Sequence, residues 1–169
     1  MKLVLLRHAK AGSRSSFDGN DIDRPITASG RRQAELLCEV EELKDGTYLV
    51  SSPYTRCIQT LEPLSNLLSV DIELDRRLVE GSESIKMEQW LSDMSERSDT
   101  VIACSHGDVI PHLVELIAAR SGIELFSLLC AKGSFWCAEL DGAVATSLLY
   151  VDPGSIYQRY LPGLPKDVD

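Results

Sequence analysis

The sequence predicts an α/β fold: a three-layer sandwich with a mostly parallel central sheet, helices on both faces and a C-terminal antiparallel hairpin. Three observations predict it. Short, continuous apolar runs recur and stop at polar turns, as strands buried on both faces do. Between them lie segments whose apolar residues recur at helical spacing. Near the end, Asp141-Gly142 separates two apolar runs, a strong hairpin signal.

The elements follow in order. Leu3–Leu6 reads as a buried strand ending at Arg7-His8. Residues 11–24 are polar and form a loop that Pro25 closes. Thr27 caps a helix carrying Ala34, Leu37, Cys38 and Leu43, which runs on to Lys44-Asp45-Gly46. Tyr48–Ser51 is a second strand. Ser52 then suits a helix cap and Pro53 a first helical residue, with Ile58, Leu61, Leu64 and Leu68 as the buried stripe and Pro63 as a kink or restart. Val70–Leu74 is a short strand. Ile85, Met87, Trp90, Leu91 and Met94 make a helix from Ser84. Thr100–Ser105 is another buried strand, stopping at His106-Gly107. The helix after it buries Leu113, Val114, Leu116 and Ile117 and ends at Gly122. Ser134–Leu140 and Val144–Val151 form the hairpin. One domain over residues 1–152 is expected, with 153–169 as a tail that wraps the surface or frays.

A chain of 169 residues is long enough for one well-buried core. Its formal charge of −9 disfavours nucleic acid and anionic membranes as partners, so any basic pocket must be local. The cysteines (Cys38, Cys57, Cys104, Cys130 and Cys137) are odd in number, with no CxxC pair, and fit a reducing, cytoplasmic setting. No stretch is long and apolar enough for a membrane span, and the N-terminal apolar run is too short for a signal-peptide core.

Polar residues just beyond the strands carry the chemistry. Parallel neighbours would bring Arg7, His8, Arg56 and His106 to one sheet edge. That set suits phosphoryl transfer. Guanidinium forks match phosphoryl oxygens, an imidazole can attack phosphorus, and helix N-termini such as the one after His106-Gly107 add N–H donors. A metal site is the rival reading for two histidines with Asp108 nearby. Two arginines crowding a cation oppose it, so no metal and no cofactor is expected.

Four segments then resemble the histidine phosphatase superfamily, in the family's order: Leu5-Leu6-Arg7-His8-Ala9-Lys10, Pro25–Ala34, Ser51–Thr60 and Cys104-Ser105-His106-Gly107. The family's usual Arg-His-Gly carries Ala9 here, as in its small, SixA-like phosphohistidine phosphatase branch. The resemblance implies a phosphoglycerate-mutase-like fold. It implies that His8 becomes phosphorylated, with Arg7, Arg56, His106 and Gly107 holding phosphoryl oxygens. It places the leaving-group acid at Glu80, with Glu83 and Asp108 as rivals. Lys10, Arg14 and Arg24 are candidate rim cations.

The short segment after Glu80 implies an open pocket. Such a pocket suits a phosphomonoester or phosphohistidine hydrolase, acting on a phosphorylated small molecule or a phosphoprotein. A phosphatase acting on a nucleotide or another small phosphate ester is the alternative. A phosphomutase or a non-catalytic phosphate-binding module of the same fold are lesser ones.

Overall fold

In the computed structural model, which describes residues 1–160, six strands form one sheet. They are β1 (Lys2–Arg7), β2 (Tyr48–Ser51), β3 (Ile72–Leu74), β4 (Thr100–Ser105), β5 (Phe135–Asp141) and β6 (Val144–Val151), in the order β3-β2-β4-β1-β5-β6. The first four run parallel; β5 is antiparallel to both β1 and β6. The helices are α1 (Ala28–Leu37), α2 (Thr55–Leu68), α3 (Ser84–Ser95), α4 (Val109–Ser121) and α5 (Pro153–Tyr160). The α/β class, the alternation and the terminal hairpin match the sequence reading.

Two cores explain the three layers. Successive strand residues point to opposite faces. Leu3 and Leu5 of β1 join Val101, Ala103, Met87, Trp90, Leu113 and Val114, beneath α3 and α4. Val4 and Leu6 join Ile102, Cys104, Leu37, Leu61 and Leu64, beneath α1 and α2. Burial on both faces is why these strands read as continuous apolar runs rather than as an alternation.

Local chemistry sets the boundaries. Thr27 caps α1 by accepting the Gly30 N–H at 3.1 Å. Gly122 ends α4 with φ of 66°, a left-handed conformation that glycine adopts without strain. Ser52 corrects the expectation of a helix cap. Residue Tyr54 occupies the cap position of α2, and the Ser52 hydroxyl meets His106 instead. The first helix is also shorter than expected. It stops at Leu37, and a separate 3-10 turn, Glu41–Leu43, buries Leu43. Pro63 sits inside α2, which runs unbroken from Thr55 to Leu68.

The start of the expected irregular tail is a correction too, since Pro153–Tyr160 is helical. Pro153 opens α5, where its missing N–H costs nothing. The Asp152 carboxylate accepts from Gly154 N at 2.8 Å, and Ile156 is buried in the core beside α1. Residues 161–169 of that tail lie outside the described residues.

Candidate active site

Register brings the strand ends together. Arg7 on β1 lies opposite Ser105 on β4, and Ser51 on β2 lies opposite Cys104. The residues that follow each strand therefore share one sheet edge. His8 is anchored there by its N–H, which donates to the Ser105 carbonyl at 3.0 Å. The His8 and His106 rings stand 5.5 Å apart, edge to face. Arg56 and His106 are each 1% exposed and His8 is 6% exposed. The structure thus brings His8, Arg56 and His106 together, with Arg7 beside them.

The hydrogen bonds of His8 fix its tautomer. Nδ1 lies 2.8 Å from the carbonyl oxygen of Ala9, which can only accept. Nδ1 therefore carries the hydrogen, and the lone pair sits on Nε2. Burial, the largest effect, lowers the imidazole pKa to about 3. The Ala9 carbonyl opposes that shift, while His106, Arg56 and Arg7 add to it. The ring is neutral at physiological pH. Ala9 itself is held from α2, its N–H donating to Thr60 Oγ1 at 2.9 Å.

The Arg56 guanidinium is the hub. Nη1 donates to the Asp21 carbonyl at 2.9 Å and lies 3.1 Å from the Asp21 carboxylate. Nη2 meets Glu80 Oε2 at 2.9 Å and His106 Nδ1 at 3.3 Å. A guanidinium only donates, so Nδ1 of His106 accepts and its Nε2–H points to Ser52 Oγ, 2.9 Å away. Tyr54 packs on both groups: its ring lies 4.4 Å from Arg56 Cζ and 4.7 Å from the His106 ring.

Arg7 is positioned differently. Its Nη1 donates to the Cys130 carbonyl, and its guanidinium lies over the α-carbon of Gly107. A Cβ at residue 107 would fall 2.7 Å from Arg7 Cζ. Glycine here makes room for a cation. Nε of Arg7 and Nε of Arg56 are both buried with no hydrogen-bond partner among the described residues.

The candidate acids separate. Glu80 reaches Arg56, and also Arg14 Nη2 at 2.6 Å. Asp108 Oδ2 accepts the Gly81 N–H at 2.7 Å, bracing the turn that carries Glu80. Glu83 pairs with Lys86. The rim candidates separate as well. Arg14 is paired with Asp21 and Glu80. Arg24 is buried, with Nε on Asp21 at 2.8 Å and Nη1 on the Gly12 carbonyl. Lys10, half-buried, places no ammonium contact on any carboxylate among the described residues.

Sequence reasoning missed Asp21, Ser52, Tyr54 and Thr60. Asp21 faces three arginines at once, and hydrogen bonding from Arg24 leads in holding its carboxyl down at about 2. Its signal was faint: an acid in a polar loop just upstream of Pro25. Thr60 lies one helical turn after Arg56 and on the same face, a spacing that could have flagged it.

The family model of the histidine phosphatase superfamily (branch 1) matches residues 3–90, more than half of the chain. The chain belongs to the histidine phosphatase superfamily. His106 lies beyond the matched stretch.

The 8-oxo-(d)GTP phosphatase of Mycolicibacterium smegmatis is 30% identical over 154 residues. They cover 89% of this chain and 48% of that protein, so the chain spans about half the relative's length. The protein histidine phosphatase SixA, solved with tungstate, superposes with a TM-score of 0.76 at 20% identity, covering 92% of this chain and 99% of that one. A mycobacterial glucosyl-3-phosphoglycerate phosphatase in complex with inorganic phosphate gives 0.64 at 15% identity, covering 89% and 95%. At these identities the two structures show that this histidine phosphatase chain shares their fold. Among the described residues, no helix is long and apolar enough to cross a membrane.

Proposed function

We propose that this chain is a phosphatase that passes the phosphoryl group through His8, with Glu80 as the acid. In the first step His8 Nε2 attacks phosphorus. The P–Nε2 bond forms as the bond to the leaving group breaks, and Glu80 gives that group a proton. In the second step water attacks phosphorus. The P–N bond breaks, Glu80 takes a proton from the water, and inorganic phosphate leaves. Arg7, Arg56, His106 and the Gly107 backbone hold the phosphoryl oxygens throughout, with no metal.

The observation that carries this reading is the 2.8 Å contact between His8 Nδ1 and the Ala9 carbonyl, in a ring whose pKa is lowered to about 3. Together they supply a neutral imidazole with its lone pair on Nε2, which needs no separate base. Arg56, 1% exposed and hydrogen-bonded to both His106 and Glu80, would link the oxygen-binding groups to the acid.

The substrate is a phosphomonoester or a protein phosphohistidine. The 8-oxo-(d)GTP phosphatase relative favours a second reading, in which the substrate is a nucleotide. Turnover of phosphohistidine protein, nucleotides, sugar phosphates and an aryl phosphate, by the parent and by His8→Ala, tests the proposal. It expects phosphate release by the parent from at least one class and none by the variant. Release by His8→Ala at the parent's rate would overturn it.

A further inference from the structure

The chain just beyond His8 is gripped from two helices. From α2, Thr60 Oγ1 accepts the Ala9 N–H at 2.9 Å. From α1, the Thr27 N–H donates to the Lys10 carbonyl at 2.8 Å, and Gln33 Oε1 accepts the Lys10 N–H at 2.8 Å. Thr27, Gly30 and Gln33 are spaced three apart, so they lie along one side of the helix. Gly30 lets the two backbones come this close, since a Cβ there would fall 2.1 Å from the Lys10 carbonyl oxygen.

Gln33 differs from Thr27 and Thr60 in the peptide group it holds. The Lys10 N–H belongs to the same planar unit as the Ala9 carbonyl, which accepts from His8 Nδ1 at 2.8 Å. That peptide is trans, so its N–H and C=O point in opposite directions. The two hydrogen bonds therefore run in line, from the imidazole through the peptide to the Gln33 carboxamide. Bonds in such a chain polarise one another, and donation by the N–H makes the carbonyl a better acceptor. Gln33 is half-buried, and a Cβ on Gly133 would meet its Cδ at 3.5 Å. Gly133 in turn donates its N–H to the His8 carbonyl at 3.2 Å.

The consequence falls on Nε2. Burial depresses the basicity of the His8 ring, the bond to Ala9 opposes it, and His106, Arg56 and Arg7 depress it further. Donation from one ring nitrogen to a firm acceptor fixes the tautomer and makes the other nitrogen more basic.

We infer that Gln33 is a positioning residue for the nucleophile: through the Ala9–Lys10 peptide it holds His8 as the Nδ1–H tautomer, with the lone pair on Nε2. Gln33 acts through that peptide, not on the substrate. This rests on the reading of His8 as the phosphoryl acceptor.

Kinetics, phosphate titration and NMR of the imidazole nitrogens test it in the parent, Gln33→Met, Gln33→Glu and Thr27→Ala, with His8→Ala to assign the resonances. Gln33→Met keeps the side chain's length and removes its carbonyl oxygen. It should lower kcat/KM on an aryl phosphate about tenfold, the scale of one hydrogen bond. Its affinity for inorganic phosphate should stay at the parent's value. Its two His8 nitrogen resonances should move toward each other as the Nε2–H tautomer gains population. Gln33→Glu keeps an acceptor oxygen and should retain the parent's nitrogen pattern and most of its rate. Thr27→Ala removes a 3.1 Å contact to the adjacent Lys10 carbonyl, so it should lower the thermal midpoint and leave the nitrogen pattern alone. Gln33→Met with the parent's rate and nitrogen pattern would overturn the role. So would a loss that Gln33→Glu does not restore, or an equal nitrogen shift in Thr27→Ala. If His8→Ala is inactive, such a result removes Gln33 alone. If His8→Ala keeps the parent's rate, the reading of His8 falls and the role of Gln33 with it.

Discussion

Glu80 Oε2 lies 2.9 Å from Nη2 of Arg56, pairing a half-exposed carboxylate with a guanidinium that is only 1% exposed. An incoming phosphoryl group would compete for the same Nη2. A carboxylate beside a phosphate dianion is repelled, and a neutral carboxamide is not. Glu80→Gln should therefore bind inorganic phosphate several-fold more tightly. It should also turn over alkyl esters far more slowly, with aryl esters much less affected, because a phenolate leaves without a proton. Equal losses on both ester classes would move the role to Glu83 or Asp108.

Arg56 should be intolerant even of lysine. Its two Nη groups reach Asp21, Glu80 and His106 in different directions, which one ammonium cannot reproduce. Arg56→Ala should cost about a hundredfold in kcat/KM, and Arg56→Lys nearly as much. Steady-state kinetics of the two variants checks this, and parent-like values would remove Arg56 from the site.

Two glycines should fail in different ways. At Gly107 a methyl group would meet the Arg7 guanidinium, the end of a flexible side chain. Gly107→Ala should displace Arg7 and lower kcat/KM about tenfold or more, with little change in stability. At Gly30 a Cβ would fall 2.1 Å from the Lys10 carbonyl oxygen, which is backbone. Gly30→Ala should destabilise the fold by about 1–3 kcal/mol. Denaturant unfolding and kinetics of both variants separate the two effects.

Acid should destabilise the protein partly through His8. Its pKa is 6.5 in the unfolded chain and about 3 when folded. Between those values the unfolded state binds a proton that the folded state refuses, so stability falls as pH drops from 6.5 toward 3. Asp21 acts lower: its contribution is present above 3.8 and is lost as pH falls through about 2. His8→Asn should flatten the upper part of the stability–pH curve and leave the lower part. Urea unfolding across this range measures it, and identical slopes for parent and variant would contradict the assignment.

The sheet and the strand-end residues were legible because burial and chemistry coincide in short windows. Leu3–Leu6 and Val101–Cys104 are apolar on both faces, and each run stops at its histidine. What escaped was set by the fold. Asp21 meets Arg56 only because the loop before α1 folds over α2. Gly133 meets the end of β1 only in the fold, where its N–H donates to the carbonyls of Arg7 and His8. Ser52 had the composition of a cap, yet His106, 54 residues away, claims its hydroxyl. The Asp152-Pro153 start of α5 carried a readable cap and first-turn proline, outweighed by the other glycine and prolines around it.

The central claim is that the phosphoryl group passes through His8, and a covalent trap tests it most directly. Phosphorus on an imidazole nitrogen is labile in acid and persists in alkali. Labelled substrate should be mixed with enzyme for milliseconds, quenched in base and mapped by peptide. The label should sit on the N-terminal peptide containing His8 and be absent from His8→Ala. Label on His106, or none at any time while the parent turns over, would contradict the account.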